Sequence, residues 1–253
     1  MQMKVKTLSV IVGVMFLVLL SYAVLAQAAP QGPGTVQRGT PDRRTTGIDT
    51  TAGTLVQAQA GNVTALNINS TRLTSRWQGY YGNVSGVITL DDASNNTLYN
   101  WQLASPQGEI YAVNQSTTPT WANVKCFNFT DTSQNVTLAN LESSIGAATT
   151  DKDGVNETFN LTYSGSFSAG TKTIVAGDQC PIASLFASDA WTGVSFNETV
   201  LFQNQSNDMV IYVALLEQDR IGFSGSTLDF EMIVGENGDS VAATNYYFFV
   251  ELT

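Results

Sequence analysis

Residues 84–103 read VSGVITLDDASNNTLYNWQL, and this stretch indicates most clearly how the chain folds. Its two ends, Val84–Leu90 and Thr97–Leu103, alternate apolar with polar side chains, as strands with one dry and one wet face do. Between them lies Asp91–Asn96, which consists mainly of residues that favour turns. The stretch therefore predicts a β-hairpin.

Short β-like runs also occur along the rest of the chain, and turn-forming clusters separate several of them. They are Leu73–Trp77, Glu109–Val113, Val124–Phe129, Glu157–Tyr163, Lys172–Ala176, Glu198–Phe202, Met209–Leu216, Thr227–Val234 and Asn245–Leu252. Helical patterns are confined to Leu138–Ile145 and Pro181–Ala190. We therefore predict an all-β fold, an antiparallel β-sandwich with one or two short helices.

The first 28 residues have the layout of a secretory signal peptide. Lys4 and Lys6 precede the apolar run Leu8–Ala26, and Ala26-Gln27-Ala28 supplies the small-x-small pattern of a cleavage site. Cleavage is expected after Ala28, with cleavage after Ala26 and an uncleaved membrane anchor as alternatives. Each alternative places the following residues outside the cytoplasm, because the positive charges stay on the cytoplasmic side.

The remainder divides by composition into residues 29–51 and residues 52–253. The first part holds three Pro, several Gly and three Arg, and it predicts a flexible tail. Such a tail is either a solvated linker or a segment that docks on an acidic neighbour or on the surface layer. Residues 52–253 are enough for one β-sandwich domain.

Composition excludes several classes of function. The chain has 11 Lys and Arg against 21 Asp and Glu, a net charge of −10, which argues against nucleic acid as a partner. It contains no His, which excludes Ser-His-Asp and Cys-His catalysis and His-ligated metal centres. The two cysteines, Cys126 and Cys180, predict one intramolecular disulfide in an oxidising compartment.

Eleven Asn-x-Ser/Thr acceptor sequences for N-linked glycans occur in the chain, and none has Pro in the middle. Because the segment from Ala29 onward has 19 Asn, about four such sequences would arise by chance. N-linked glycans are added outside the cytoplasm and face solvent, so the pattern predicts a secreted or cell-surface glycoprotein. The predicted glycosylation sites are Asn62, Asn69, Asn83, Asn95, Asn114, Asn128, Asn135, Asn156, Asn160, Asn197 and Asn204.

Three of these sequences place an apolar residue between the Asn and the hydroxyl residue: Asn83–Ser85, Asn128–Thr130 and Asn160–Thr162. This alternation predicts strands with the glycan on their outer face. Cys126 has the same parity as Asn128, so the disulfide is expected on the glycan face unless a bulge intervenes.

Candidate chemistry is sparse, and no enzyme is predicted. Asp151–Glu157 offers oxygen ligands around a glycine, as calcium loops do, although a plain polar turn is the preferred explanation. A glycoside hydrolase needs two carboxylates, and five lie near strands: Glu109, Glu217, Asp219, Asp229 and Glu231. Six aromatic residues lie close together in the sequence, and they either pack in the core of the sandwich or form an exposed platform that stacks on sugar rings. They are Trp77, Tyr80, Tyr81, Tyr99, Trp101 and Tyr111.

A Sec-type signal, an acidic His-free β domain, dense acceptor sequences and one cysteine pair together resemble the secreted surface glycoproteins of archaea. That group includes subunits of heavily glycosylated extracellular filaments, in which a strand of one subunit completes its neighbour. The resemblance covers Ala29–Thr253 and implies a structural or adhesive role as a filament or surface-layer subunit. It implies partners that are further copies of the protein or other surface proteins. The processing site of a type IV pilin is missing, which disfavours that branch.

If strand exchange operates, Thr50–Ile68 is the best donor, because it follows the tail and contains Leu, Val and Ile. The alternative is that it pairs within its own domain. The runner-up function is a carbohydrate-binding module with glycans as partners, and a glycoside hydrolase is third. Residues 29–51 and 207–253 are expected to be least shielded by glycan.

Overall fold

The computed structural model describes residues 29–44, 55–68, 70, 72–103, 106–186, 195–203, 208–238 and 243–252. Within these residues the chain forms strands and two short α-helices. The strands are β1 (Trp77–Gly82), β2 (Gly86–Asp91), β3 (Thr97–Leu103), β4 (Gly108–Val113), β5 (Val124–Cys126), β6 (Leu161–Thr162), β7 (Phe167–Ala169), β8 (Lys172–Ile174), β9 (Pro181–Phe186), β10 (Ser195–Gln203), β11 (Met209–Leu215), β12 (Arg220–Ile221), β13 (Thr227–Leu228), β14 (Phe230–Gly235) and β15 (Tyr247–Leu252). The helices are α1 (Leu138–Ser144) and α2 (Val155–Thr158). The predicted all-β class is confirmed.

The largest sheet has the strand order β15-β4-β11-β10-β9-β6, and every pairing in it is antiparallel. Strand β5 pairs with the second half of β10, beyond the part that β9 covers. The sequence of β11, MVIYVAL, is almost continuously apolar. Such a run suits a strand that is buried on both faces.

Both faces of this sheet are covered by other elements, which gives the sandwich. Side chains of β11 alternate between them: Ile211 and Val213 face one core, whereas Tyr212 and Ala214 face the other. The face of Tyr212 packs against α1 and against β14, which pairs with β1. The face of Ile211 packs against the small β7–β8 hairpin.

Helix α1 matches the helix predicted at Leu138–Ile145. Thr137 caps it: the Thr137 hydroxyl accepts a hydrogen bond from Asn140 N, and Asn140 Oδ1 accepts one from Thr137 N in return. Helix α2 was not predicted. Its first N–H groups, those of Val155 and Asn156, donate to the buried Glu142 carboxylate at 2.8 and 3.1 Å.

Several expectations about secondary structure were wrong in whole or in part. Of the strand expected at Leu73–Trp77 only Trp77 belongs to a strand, β1, and the strand expected at Val124–Phe129 ends at Cys126. Pro181–Phe186 forms strand β9 instead of the beginning of a helix at Pro181–Ala190, and residues 187–190 lie outside the described ones. A short apolar run suits a buried strand as well as a helix, and here pairing with β10 decides. The strand expected at Glu157–Tyr163 is reduced to β6, because Glu157 belongs to α2.

The predicted disulfide between Cys126 and Cys180 is confirmed, with the two Cα atoms 4.8 Å apart. Cys126 ends β5, and Cys180 directly precedes β9. Because β5 and β9 follow one another along the same edge of β10, the disulfide joins two pieces of one interrupted neighbouring strand. The chain leaves the strand after Cys126, so Asn128 lies in a turn and no bulge is needed to separate it from the disulfide.

Candidate functional site

The acceptor asparagines lie almost entirely at the surface of the described structure. Asn69 and Asn204 lie outside the described residues. Eight of the other nine are exposed: Asn62, Asn83, Asn95, Asn114, Asn128, Asn135, Asn156 and Asn160. Asn197 is the exception, because it lies half-buried in β10 between the buried residues Phe196 and Glu198. The hydroxyl of its sequon, that of Thr199, is fully buried and donates to Pro181 O at 2.8 Å.

The expected alternation around three acceptor sites is found only in part. Val84 and Phe129 pack against the core while their flanking Asn and hydroxyl residues stay exposed. Both lie outside strands, however, in connecting segments. Leu161 is itself half exposed, so the third site has no buried apolar residue in the middle.

The β2–β3 hairpin, called here the hairpin, projects from the sandwich. Its turn is held by Asp92, whose carboxylate accepts hydrogen bonds from Ser94 N and from both the backbone and side-chain nitrogens of Asn96. These bonds, with the Asn96 side chain contributing most, lower the pKa of Asp92. Asn95 completes the turn with φ of +64°, a conformation that Asn tolerates better than most residues. The predicted hairpin is confirmed.

The hairpin exposes large apolar side chains. Tyr99 is 58 % exposed and Trp101 is 49 % exposed, so neither is a core residue. Their ring centroids are 4.8 Å apart with the planes inclined at 68°. Of the other aromatic residues predicted as core or platform, Tyr111 is buried, Trp77 and Tyr80 pack partly buried against the core, and Tyr81 is exposed beside Phe223.

Residues 55–68, called here the arm, form no strand and lie on the surface. Leu55, Val63 and Ile68 are each more than 80 % exposed, which is unusual for side chains of this type. The arm's one backbone hydrogen bond among the described residues joins Asn62 N to Gln59 O at 3.3 Å. The alternative prediction, that this segment pairs within its own domain, is therefore not seen for residues 55–68; Thr50–Thr54 lie outside the described residues.

The start of the predicted tail is docked on the body. Gln31 forms an antiparallel bridge with Val250 of the edge strand β15, through backbone hydrogen bonds of 3.0 and 2.8 Å. Pro30 is buried close to Gly170. Pro33, two residues further on, has no N–H group to continue the ladder, and a proline at an edge limits further strand pairing.

A cavity of about 490 Å³ lies beside the end of β4. Two of the five candidate carboxylates line it, Glu109 and Glu217, together with Tyr163 and Arg220. Glu217 is held by an ion pair with Arg220 at 2.9 Å. These groups offer hydrogen bonds to a polar molecule, but nothing in the cavity assigns an acid and a base role to the two carboxylates.

Glu109 has a buried carboxylate neighbour that the sequence did not indicate. Glu251 of β15 lies directly opposite Glu109 of β4. Glu109 Oε1 accepts from Ser168 N at 3.2 Å, and Glu251 Oε2 accepts from Gly170 N and the Tyr111 hydroxyl at 2.8 and 3.0 Å. Both carboxylates therefore hold the β7–β8 hairpin against the main sheet.

Each member of this pair keeps one oxygen, Glu109 Oε2 and Glu251 Oε1, that is buried without a hydrogen-bond partner in the described structure. Burial raises the pKa of Glu109 to about 8, and the charge of Glu251 adds to the rise. A like charge nearby disfavours ionisation of Glu109. At neutral pH Glu109 therefore keeps its proton in most molecules.

The other candidate carboxylates have structural tasks. Asp229 accepts from Val84 N at 2.7 Å, and Glu231 accepts from Phe223 N at 2.7 Å, so each fixes a loop. Asp219 lies beside Asp229 and donates its own backbone N–H to the Asp229 carboxylate at 3.4 Å. None of the three lines the cavity.

The segment Asp151–Glu157, considered as a calcium loop, is occupied by protein contacts. Arg76 forms ion pairs with both Asp151 and Asp153, and Asp153 also accepts from Thr74. Asp151 accepts a hydrogen bond from Ala148 N at 2.9 Å as well. Within the described ranges, no three or more Asp, Glu or Cys side chains meet in a group that could hold a metal ion.

Comparison with known proteins adds no relative: no family model, curated protein or solved structure matches this chain. In the part of the chain that the structure describes, no helix is long and apolar enough to cross a membrane. The predicted signal peptide, residues 1–28, lies outside that part.

Proposed function

We propose that this chain is a secreted, N-glycosylated structural or adhesive protein of the cell surface, a filament or surface-layer subunit that assembles by strand addition. The observation that carries the proposal is the arm, an uncharged stretch whose Leu, Val and Ile side chains are each more than half exposed in the described structure. Burial of an exposed apolar segment of this kind in the sheet of a neighbour is favourable, because it removes apolar surface from water.

Two further observations support the location outside the cytoplasm. The exposure of eight acceptor asparagines leaves room for glycans without disturbing the fold. The disulfide is of a kind that persists in oxidising compartments. A layer of neutral sugar also suits an acidic protein in which only 13% of residues are charged.

Mass spectrometry and electron microscopy of the same native sample test the proposal. We expect cleavage after Ala28, glycans on most acceptor sites and regular polymers in the micrographs. A matched variant that lacks residues 55–68 should keep its glycans and disulfide but remain monomeric. Native protein that carries few glycans, or that stays monomeric at high concentration, would contradict the proposal.

The fraction of each acceptor asparagine that carries a glycan should depend on how exposed that asparagine is in the fold. We expect Asn197 to be the least occupied of the described sites, because it is half-buried in β10 and Thr199 of the same sequon is fully buried. Glycopeptide mapping measures this directly, with the exposed turn site Asn95 as the control. Equal occupancy at Asn197 and Asn95 would show that glycan attachment there is compatible with the strand.

A second candidate function is carbohydrate binding, which the exposure of Tyr99 and Trp101 favours. Aromatic rings stack on sugar rings, and a flat platform is the usual arrangement. The 68° inclination of these two rings offers one ring face rather than a platform. Glycan-array binding that disappears in Trp101→Ala but persists in Trp77→Ala would support this candidate over the structural one.

A further inference from the structure

The hairpin has two unlike faces. In its register Ile88 lies opposite Trp101, and Leu90 lies opposite Tyr99. Because residues two apart in a strand share a face, these four side chains form one apolar face. The opposite face carries Thr89 and Asn100, with Val87 and Gln102 beside them. All four apolar-face side chains are about half exposed or more.

This apolar face has little support from the other residues that the structure describes. The hairpin is a sheet of two strands in the described structure, and its base, at Gly86, contacts Leu252 and Leu103. A two-stranded hairpin is marginally stable in water, whereas a third strand and cover for one apolar face give independent stability. A contiguous exposed patch of this kind marks an interaction site.

The arm is matched to this face in charge and length. The arm contains no charged residue, and the hairpin's two charges, Asp91 and Asp92, lie at its turn. In a chain with net charge −10, two copies meet with least repulsion through such uncharged stretches. Residues 63–68 are also as long as β2 and lie between the acceptor sites Asn62 and Asn69.

We propose that the hairpin receives residues 63–68 of a second copy, which pair with its open edge as a third strand and extend its apolar face. The inference rests on the proposed function and names the acceptor surface for it. The surface that receives the strand and the strand that is donated are different, so the contact is head-to-tail and continues into an open polymer or closes into a ring. The glycosylation site Asn95 lies at the far turn of the hairpin and not on its apolar face.

Variants of the two hairpin faces test the acceptor in the full-length native glycoprotein. The double substitution Ile88→Thr and Trp101→Thr changes the apolar face but keeps residues that favour strands. The double substitution Val87→Thr and Gln102→Thr is the matched control on the opposite face. Sedimentation velocity should show association weakened about 100-fold or more by the first pair and changed less than about threefold by the second.

A direct binding measurement removes the dependence on polymer formation. A synthetic peptide of residues 55–68 should bind the variant that lacks this segment, and the Ile88→Thr and Trp101→Thr pair should abolish the binding. Near-ultraviolet circular dichroism and the intact disulfide verify that each variant folds.

The outcomes separate this inference from the proposed function. Polymers that persist in the apolar-face variant would place the acceptor elsewhere, and the proposed function would stand. Native protein that never polymerises, with a peptide that does not bind, would refute both. A monomer whose arm is protected from hydrogen exchange on its own hairpin, independently of concentration, would overturn the assignment to a second copy.

Discussion

Strand β11, which is almost continuously apolar, and the hairpin, whose strands alternate apolar with polar residues, have opposite surroundings. Both are rich in β-branched and aromatic residues, and both form antiparallel pairs as their patterns predict. In β11 every side chain except that of Val210 is buried, whereas in the hairpin all but Gly86 and Leu103 are exposed. The comparison teaches that a continuous apolar run indicates a strand buried on both faces, whereas an alternating pattern specifies a strand without indicating what covers its apolar face.

The main sheet and the hairpin should differ most in how much the free energy of unfolding falls when one large side chain is truncated. Phe202 of β10 is fully buried and packs against Phe127. We expect Phe202→Ala to lower the free energy of unfolding by about 3–5 kcal/mol, because it removes buried area and leaves a cavity. Urea denaturation of monomeric protein measures the loss; a change below about 1 kcal/mol would mean that this core is loosely packed.

The disulfide should contribute the next largest effect, again within the main sheet. The double substitution Cys126→Ser and Cys180→Ser is expected to cost about 2–4 kcal/mol, because it releases a long loop in the unfolded chain. Reduction of the native protein under mild conditions is the matched control. A variant as stable as the native protein would indicate that pairing of β5 and β9 with β10 is sufficient by itself.

The buried carboxylate pair should make stability depend on pH. Because the pKa of Glu109 is raised from 4.5 to about 8 in the folded state, its contribution is present below about pH 4.5 and is lost as the pH rises towards 8. We expect the free energy of unfolding to decrease over this range. Glu109→Gln, which keeps the shape but cannot ionise, should flatten the decrease by roughly 1–3 kcal/mol.

Glu217→Gln is the control for this pH experiment, since Glu217 lines the same cavity but is paired with Arg220. It should leave the pH profile close to that of the native protein. Glu198 and Glu142 contribute to the remaining slope, because burial raises the pKa of both carboxyls. A profile that is unaffected by Glu109→Gln would contradict the raised pKa of Glu109.

The smallest effect is expected in the hairpin of the monomer. Trp101→Thr should change the free energy of unfolding of the body by less than about 0.5 kcal/mol, because its side chain is about half exposed. The same denaturation experiment, at a concentration where the protein is monomeric, provides the value. A loss as large as that of Phe202→Ala would mean that the hairpin is covered by its own chain, and the comparison with β11 would fail.

Local chemistry made much of this fold predictable from the sequence. The hairpin follows from the turn residues of Asp91–Asn96, and helix α1 lies within the helical pattern Leu138–Ile145. The disulfide followed from there being two cysteines in a chain with a predicted signal sequence. Each of these features depends on residues that are close together or on simple counting.

The rest depends on contacts between distant parts of the chain, which no local pattern reports. Glu251 comes to lie beside Glu109 only because β15, the last strand, pairs with β4. Strand β9 is a strand because β10 is beside it, although its sequence also suits a helix. The docking of Gln31 on Val250 has no sequence signal beyond a polar residue between prolines.

That docking changes the topology of the arm. Gln31 is held at β15 and Trp77 begins β1, so the arm belongs to a stretch of chain that is attached to the body at both ends. A segment attached at both ends can lie along an open strand edge, but it cannot be threaded through a closed ring of its neighbour. A single protease cut in this segment would leave both pieces attached to the same subunit. A nicked polymer would then dissociate into subunits that have lost no mass.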